Sequence, residues 1–595
     1  MELFLMRLLT KFQYATLTAF LMGSPINLTA EETSTYNIST ESNISTGKKL
    51  NSSRKMLSDL DFIANMFEIS YAPSQWKSEY FGWDLNHEIQ KAKSSVLQDL
   101  LQTSKDFQRI IKNFCLSAKD YHVVSQFYST ECSYLSFHIQ SAGDKYFVSQ
   151  IDSGFQTSDN FPLSVGDEIL EFDGEPIHTV VENFRKHEIG SNHLATDKAL
   201  AEFYLTDRIG SFGHTISQGE IWITYRKAFS DEILSHQFEW TYESEVVVDT
   251  NYPCKSKILR SQFFDNLKDP FRKKFMTPHY NLIRNVYADN YDSSDLLGTR
   301  KSKIPPLGKI LWESQNHEEF HAYLFMMDDW KIGSYIRIPS FYVDGDKAAE
   351  EFAELIELFE EMSDVLVIDQ LNNGGGYILY LYALLAMLTD KELEVPMHRI
   401  MITQEDVYHA SKRNMMLESI KTDRSARKKL GDTIEGVIVN LKIAQGLQKS
   451  HQFIIDQWNL GNLYTDYCYL YGIEKIVPHP EVNYTKPIII LTNELDFSAA
   501  DFFPAIMQDN GRAKILGTRT AGAGGFVSKI SFPNLSGIEC VDLTSSFSRR
   551  QNGDPIENLG VIPDVIYEVT QNDLQNNYID YKQKILEEVG LMLEE

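Results

Sequence analysis

The sequence is poor in cysteine and has no long apolar run, and both shortages exclude classes of protein. Its 595 residues include five cysteines, which lie far apart, form no CxxC pair and have no histidine at ligand spacing. We therefore predict neither a zinc site nor a dense disulfide framework, and we expect no metal or cofactor. The longest apolar stretch, YILYLYALLAML, is shorter than the roughly 18–20 residues of a membrane span, so we expect no span in the mature chain.

Positive charge is also scarce. The chain has 56 lysines and arginines against 83 aspartates and glutamates, and its formal net charge is -27. A protein that binds nucleic acid needs a basic face to neutralise phosphate, so nucleic acid is excluded as a partner. What is present, 43% hydrophobic residues over this length, is enough for two or three domains.

The first part of the chain is predicted to be a leader. Arg7 and Lys11 precede the apolar stretch YATLTAFLMG and the tripeptide LTA, a pattern typical of a secretory signal peptide over residues 1–30. The alternative is a disordered leader that is not an export signal. Residues 31–54 are rich in Ser, Thr and Asn, which predicts a flexible leader before the first folded unit.

The next segments differ in periodicity. Residues 55–133 have the apolar spacing of amphipathic helices and end in SAKDYHVV, where His122 lies at a helix-to-strand junction. A lone histidine is more often structural than catalytic, so its position alone does not decide its role. The sequence pattern of residues 134–249 predicts short strands and turns. Residues 250–306 have scattered charges and little periodicity, as in a linker.

Within residues 134–249, the stretch GDEILEFDGEPI resembles the core motif of a PDZ domain. A PDZ domain binds an extended peptide at a sheet edge, so we assign peptide binding to Gly166, Asp167, Ile169 and Leu170. Gly166 and Gly174 would supply the turns. A generic β-hairpin is the alternative.

Residues 307–595 alternate between strands and helices, which predicts an α/β domain with a buried sheet. The helix DKAAEEFAELIELFEEM, with Asp346 as a candidate cap, is predicted to have an apolar face made of Phe352, Leu355, Ile356 and Phe359. Functional groups in such sheets collect at the carboxyl ends of strands, where the stretches LNNGGG and ELDFS lie.

Ser498, in the second of these stretches, is either a helix cap or a nucleophile. Ser is a preferred cap, and that reading needs nothing more. However, Ala499 and Ala500 leave space around the hydroxyl, and the amides of a helix start can receive negative charge. The three glycines 374–376 could bring a second backbone donor to the same point. The G-x-S-x-G motif is absent, which argues against an α/β-hydrolase.

The PDZ-like stretch, DQLNNGGG, TNELDFSAADFF, ILGTRTAGAGG and DPIENLGVIPDV occur in the order found in the tail-specific serine proteases of family S41. The resemblance spans residues 120–567. It implies a multidomain α/β protein with a helical N-terminal subdomain, a PDZ-like β-rich domain and a crotonase-like catalytic domain. It also implies a serine endopeptidase that acts on polypeptides.

One position departs from the common pattern of the family. Ala523 occupies the place where most members have a lysine general base, and an alanine cannot accept a proton. A branch of the family uses Ser, His and Glu instead, and the matching residues here are Ser498, His122 and Glu557. The resemblance further implies an oxyanion hole formed by the N–H groups of Ala499 and of Gly374 or Gly375.

The same branch suggests how the protein is used. Its members are zymogens with an internal inhibitory segment, form homodimers, cleave themselves and act on host proteins. By this resemblance, residues 250–306 are the candidate inhibitory segment, and the protein is a secreted virulence factor that reaches the host cytosol. Two alternatives remain: a periplasmic C-terminal processing protease and a catalytically inert scaffold whose PDZ-like domain binds peptides.

Overall fold

The computed structural model describes residues 40–98, 103–152, 161–245, 297–315, 319–327 and 330–594, with the side chains described from Ser52 onward. The chain divides into two units, Met1–Asn51 and Ser52–Glu595. The second unit contains all the functional-site residues discussed below. The predicted signal peptide at 1–30 lies outside the described residues.

The N-terminal region is helical, as predicted. Within the described residues its helices are α1 (Thr40–Ser70), α2 (Ser74–Phe81), α3 (Leu85–Gln98) and α4 (Ser104–Ser117). Helix α1 begins inside the segment 31–54 that was predicted to be a flexible leader, so that prediction is wrong from Thr40 onward. Apolar side chains such as Leu60 and Phe67 anchor α1 in the core, and extending an existing helix is easier than starting one.

The middle of the chain forms a sheet with the strand order β3-β4-β5-β8-β9 and two helices. Its elements are β3 (Phe137–Ala142), β4 (Lys145–Ile151), β5 (Glu168–Phe172), β6 (Glu175–Pro176), β8 (Glu220–Arg226), β9 (Ile233–Glu239), α5 (Ile177–Phe184) and α6 (Leu194–Thr206). Gly166 and Gly174 have φ angles of 91° and 78°, the left-handed geometry expected of them. Strand β5 is interior, and the edges of the sheet are β3 and β9.

The C-terminal domain contains a seven-stranded sheet with the order β11-β12-β13-β14-β20-β21-β25, parallel from β13 onward. The strands are β11 (Lys309–Glu313), β12 (His321–Met326), β13 (Ile332–Arg337), β14 (Val365–Asp369), β20 (Ile488–Thr492), β21 (Lys514–Gly517) and β25 (Val565–Ile566). Helices cover both faces: α7 (Gly345–Met362), α8 (Ile378–Met387) and α12 (Ala499–Asp509) lie on one, and α14 (Ile579–Glu594) lies on the other. This arrangement explains why the central strands β14 and β20 are almost entirely apolar.

The predicted apolar face of α7 is confirmed, because Phe352, Leu355, Ile356 and Phe359 are all buried. The predicted cap is wrong. Helix α7 begins at Gly345 with Asp344 at the capping position, and Asp346 instead accepts a hydrogen bond from the Gly436 N–H at 2.8 Å. The error arises because Asp344 and Asp346 lie only two positions apart, and the sequence does not distinguish which of them caps the helix.

Small sheets join these regions. They pair β1 (Val124–Phe127) and β22 (Val527–Ile530) with β23 (Ile538–Thr544), and β7 (Asp207–Ile209) and β10 (Thr241–Glu243) with β2 (Cys132–Tyr134). The pairing of β1 with β23 matters for the site, because it places the chain immediately after His122 against the C-terminal domain, with Val124 opposite Asp542.

The remaining elements lie between α8 and the C-terminus. They are α9 (Gln404–Leu417), α10 (Asp423–Leu430), α11 (Leu441–Asn459), α13 (Gln571–Gln575) and the paired strands β15 (Leu393–Glu394) with β19 (Lys475–Ile476), β16 (Met397–Ile400) with β24 (Ser546–Arg549), and β17 (Thr433–Ile434) with β18 (Val437–Ile438). No helix in the described part of the chain is both long and apolar enough to cross a membrane.

Most of the predicted linker, 250–306, lies outside the described residues. Its last residues, from Leu297, are described and lie against the folded domains. Leu297 and Ile304 are buried, and the Ser302 hydroxyl donates to the buried carboxylate of Asp369. This end of the segment is therefore part of the folded unit. Of the five cysteines, the four within the described residues are free thiols: Cys115, Cys132, Cys468 and Cys540.

Candidate active site

Ser498 occupies a tight turn between strand β20 and helix α12. Its φ and ψ angles are 58° and -114°, a conformation that residues with a side chain rarely adopt. The turn is held from within the helix, because the Ser498 N–H donates to the Asp501 carboxylate at 2.8 Å. Ser498 is the N-cap residue of α12, and this bond from its backbone is one half of a capping box with Asp501.

Asp501 connects this turn to the loop that carries Ala523. Its buried carboxylate accepts hydrogen bonds from the Thr520 hydroxyl at 2.5 Å and from the N–H groups of Gly522 and Ala523 at 2.8 and 2.9 Å. Burial raises the pKa of Asp501 to about 6, and these donors oppose the rise. Ala523, the residue predicted to stand in place of a lysine, is therefore buried and tied to the Ser498 turn through its backbone.

The glycine turn after strand β14 is linked to the same place. The Phe497 N–H donates to the Asn373 carbonyl at 2.9 Å, and the Asn373 N–H donates to the Asp496 carboxylate at 3.0 Å. Asp496 is fully buried, and burial raises its pKa well above the usual range. These bonds fix the LNNGGG and ELDFS turns to each other at the carboxyl ends of neighbouring strands, as predicted from the sequence.

Gly375 lies directly against the serine turn. A Cβ atom there would be 2.8 Å from the Ser498 Cβ and 3.0 Å from the Ala499 nitrogen, and its φ is 87°. Only glycine fits in that space. The Ala499 N–H has no acceptor among the described residues, whereas the Gly375 N–H donates to the Asn373 side chain at 2.8 Å. Gly374 precedes it in the same turn.

Ser498 lines a small pocket that is partly open to solvent. Most of the lining is apolar or glycine: Gly376, Ile378, Leu470, Ala499, Phe502, Gly525, Phe526 and Val527. One wall is His398, which is stacked between the rings of Phe502 and Phe526. Burial lowers the pKa of His398 to about 3, so this imidazole is neutral at physiological pH and a weak base. Sequence reasoning missed it, because nothing in PMHRI distinguishes it.

His122 is buried in the turn after helix α4. Its backbone N–H donates to the Asp120 carboxylate at 2.9 Å, and Asp120 also accepts hydrogen bonds from the hydroxyls of Thr544 and Tyr71 at 2.8 and 3.0 Å. The Asp120 carboxylate thus connects the histidine turn with strand β23 and with the end of α1.

Tyr121 brings the histidine turn and the serine turn together. Its ring meets the ring of Phe497 edge to face, with centroids 5.6 Å apart, so the residue before His122 packs on the residue before Ser498. The Tyr121 hydroxyl donates to the Asp197 carboxylate at 2.8 Å, which ties the same point to helix α6 of the middle domain.

Glu557 is completely buried beside the TAGAGG loop. One carboxylate oxygen accepts a hydrogen bond from the Gly524 N–H at 3.0 Å, and the other accepts one from the ammonium of Lys77. Burial and the nearby charge of Asp120 raise the pKa of Glu557 to about 8, while Lys77 opposes the rise. Sequence reasoning missed Lys77, since a lysine in an amphipathic helix normally faces solvent.

The four residues to which peptide binding was assigned lie in a turn and an interior strand. Gly166 and Asp167 form the turn, where the buried Asp167 carboxylate accepts the N–H groups of Ser164 and Ala228 at 2.8 Å. Ile169 and Leu170 lie on β5, which is paired with β4 and β8. An added peptide strand would need an edge, so the motif marks the core of the domain, and the edge beside helix α6 is β3.

Comparisons with known proteins agree with this architecture. The chain matches the family models described as PDZ domain, over residues 131–248, and Peptidase family S41, over residues 331–567. An uncharacterized protein from Chlamydia muridarum is 37% identical over 574 residues, which cover 90% of this chain and 92% of that protein. A protein from Chlamydia pneumoniae is 34% identical over 559 residues, with coverage of 89% and 88%.

Two crystal structures of CPAF, the chlamydial protease-like activity factor, are also similar. A serine-to-alanine mutant of CPAF has a TM-score of 0.81 at 33% identity and covers 91% of this chain and 98% of its own. Mature CPAF complexed with lactacystin has a TM-score of 0.78 at 33% identity, with coverage of 91% and 99%. The chain therefore belongs to peptidase family S41, as a serine-type peptidase with a PDZ domain and a fold similar to that of CPAF.

Proposed function

We propose that the chain is an endopeptidase in which Ser498 is the nucleophile and His122 is the general base. Glu557 is the residue that orients the histidine and stabilises its charged form. The observation that carries this proposal is the Ser498 turn. It combines a rarely populated backbone conformation, a helix N-terminus, an adjoining glycine turn and an apolar pocket at one point. A helix cap alone requires neither the adjoining glycine turn nor the pocket.

The proposed reaction is acyl transfer through two steps. His122 accepts the proton of the Ser498 hydroxyl as its oxygen attacks the peptide carbonyl carbon, and it then delivers that proton to the leaving amine as the C–N bond breaks. A water molecule next attacks the ester, with His122 taking and returning the proton again. The charge of Glu557 would stabilise the imidazolium formed in each step.

The oxyanion of each tetrahedral intermediate would be bound by backbone amides. The Ala499 N–H at the start of α12 is one donor, and the glycine turn provides the other. That donor is Gly374 or, once Asn373 releases it, the Gly375 N–H. Each such donor contributes roughly 3–4 kcal/mol in comparable proteases.

The pocket beside Ser498 supports a preference for apolar side chains at the cleavage point, since its walls are glycine, aliphatic and aromatic groups. Polypeptides are the substrates of this family. An extended backbone is the form that the PDZ domain and the open side of the pocket would both accept, so flexible or unfolded proteins are the proposed substrates.

We also propose that the protein is exported, secreted and activated by self-cleavage within 250–306, that it works as a homodimer, and that its targets are host proteins. The support is the similarity to CPAF, whose crystallised form is described as mature, and to chlamydial relatives across about 90% of the chain. The periplasmic processing protease remains the alternative.

The chemical part of the proposal is tested with a serine-reactive phosphonate and with lactacystin, the ligand of one CPAF structure. The full chain from residue 31 is incubated with each reagent, beside Ser498→Ala, and the modified residue is identified by mass spectrometry. We expect the phosphonate on Ser498, and lactacystin to slow that labelling. Labelling at another residue, or none in folded protein, would favour the inert scaffold.

A further inference from the structure

The cluster around Lys77 is the strongest feature that the proposed reaction does not use. Lys77 lies on helix α2, in the helical N-terminal region, yet its side chain is completely buried. Its ammonium donates to three acceptors: the Lys119 carbonyl at 2.8 Å, the Asn558 side-chain oxygen at 2.7 Å and a Glu557 carboxylate oxygen. An ammonium has three donors, so Lys77 is fully satisfied as a cation.

Because all three donors of Lys77 are used, a role as general base is excluded. A lysine that served as general base in place of the one missing at position 523 would have to be neutral and to present a lone pair to Ser498. All three N–H groups of Lys77 have acceptors, one of them a carboxylate, so the cation is the form that this site stabilises. The role of Lys77 is therefore electrostatic.

The charges around Lys77 show what that role is. Two buried carboxylates face its ammonium, Glu557 in direct contact and Asp120 at 3.9 Å, and the phenol of Tyr71 donates to Asp120. Each carboxylate raises the cost of ionising the other. Lys77 is the cation that offsets this repulsion.

We propose that Lys77 is a positioning residue of this peptidase: its ammonium favours the ionised form of the Glu557 side chain and holds that side chain in place, and so couples the helical N-terminal region to the active site. The Asp120 carboxylate accepts a hydrogen bond from the backbone N–H of His122, and the Glu557 carboxylate accepts one from the backbone N–H of Gly524. A single cation therefore lies beside both of the carboxylates that hold these two backbone segments. The inference rests on the proposed role of Glu557.

The test compares Lys77→Met with Lys91→Met, a matched control at a lysine whose side chain is 71% exposed. The rate of Ser498 labelling by the phosphonate is measured in the full chain between pH 5.5 and 10, together with the melting temperature. If Glu557 must be ionised, removing the nearby cation raises its pKa by about one to two units. The acidic limb of the profile then moves up by that amount, a loss of about 10- to 100-fold on that limb that is recovered at alkaline pH.

A loss that is the same at every pH would overturn the inference, because a purely structural role changes the amount of active protein without moving the limb. The double variant Lys77→Met/Glu557→Gln gives a second readout. We expect it to label no more slowly than Glu557→Gln alone, since the charge that Lys77 serves is already gone. Additive losses would contradict the inference.

The double variant also covers the case in which Lys77→Met does not fold. Removing both charges leaves no unpaired carboxylate from this pair, so we expect the double variant to fold, and its failure to fold would overturn the inference. The inference and the proposed function fail in different ways. If Glu557→Gln were labelled at the wild-type rate, Glu557 would have no part in the mechanism. If Glu557→Gln were labelled slowly but the pH profile of Lys77→Met were not shifted, only the role of Lys77 would be wrong.

Discussion

The serine side and the histidine side of the site are built in different ways. The serine side consists of two turns that follow neighbouring strands, β14 and β20, and are bonded to each other largely through backbone groups and nearby carboxylates. The histidine side joins residues that are hundreds of positions apart, such as Lys77 with Glu557 and Asp120 with Thr544.

The difference determines how each side responds to change. The turns of the serine side are fixed by strand order and glycine, so they can be recognised from local sequence. They are disrupted by substitutions that add atoms where there is no space. A cluster of buried charges has no local signature and fails through loss of a counter-charge or a hydrogen bond. The predictions below use this contrast, and they run from the largest expected effect to the smallest.

Replacing the reacting groups should have the largest effect. Ser498→Ala and His122→Ala are each expected to lower kcat by about 10⁴- to 10⁶-fold, because the nucleophile or the base is then missing. Cleavage of an unfolded protein substrate measures the loss, with His178→Ala, at an exposed histidine, as the control. If His122→Ala kept more than a tenth of the activity, the general base would have to be sought elsewhere.

Glu557→Gln should lower kcat by about 10³-fold, a smaller effect than that of removing the base. The third member of such triads orients the histidine and stabilises its charged form, but it does not itself react. The new amide also leaves Lys77 with only the more distant carboxylate of Asp120, so the melting temperature should fall as well. Glu587→Gln, at an exposed side chain, is the control. A drop in stability with unchanged kcat per folded molecule would make Glu557 a structural residue.

Gly375→Ala should lower kcat about 100-fold, since the added Cβ would push the glycine turn away from the Ala499 N–H and disturb the oxyanion site. Gly143→Ala is a matched control, with a φ of 61° but open space around the added atom. It carries the same backbone penalty of about 1–2 kcal/mol without the steric clash. Equal effects of the two variants on kcat would show that the approach at Gly375 is irrelevant.

Tyr121→Phe should have the smallest effect, a loss of about 1–2 kcal/mol in the free energy of unfolding, since the buried Asp197 carboxylate loses a donor. The ring that packs on Phe497 is kept, so kcat should change by only a few fold. Urea unfolding measures the difference against Tyr242→Phe, which breaks a similar bond to Glu131 at an exposed tyrosine. A larger loss at Tyr242 would refute the role of the buried bond.

The sequence predicts much of the serine side for a physical reason. Buried parallel strands such as Val365–Asp369 and Ile488–Thr492 have to be apolar along their whole length, and their carboxyl ends lie at one edge of the sheet. Ser498 and the glycines could therefore be placed together from pattern alone. The helical N-terminal region and the PDZ-like strands follow from periodicity in the same way.

The remaining features depend on contacts that no local pattern encodes. Lys77 and His398 are buried by segments far away in the chain, and their sequence neighbours look ordinary. The interior position of β5 depends on the order of strands in its sheet, which the motif GDEILEFDGEPI does not specify. The cap of α7 differs by two positions because Asp344 and Asp346 have the same chemistry.

The most direct measurement is a time course with the chain from residue 31 onward, in which wild type is followed beside Ser498→Ala, His122→Ala and Glu557→Gln for its own size and for cleavage of an unfolded protein. We predict that wild type cuts itself within 250–306, leaves two associated fragments and digests the substrate, while Ser498→Ala and His122→Ala do neither and Glu557→Gln is slow. Cleavage by Ser498→Ala, or four folded proteins that all stay intact and inactive, would contradict the account.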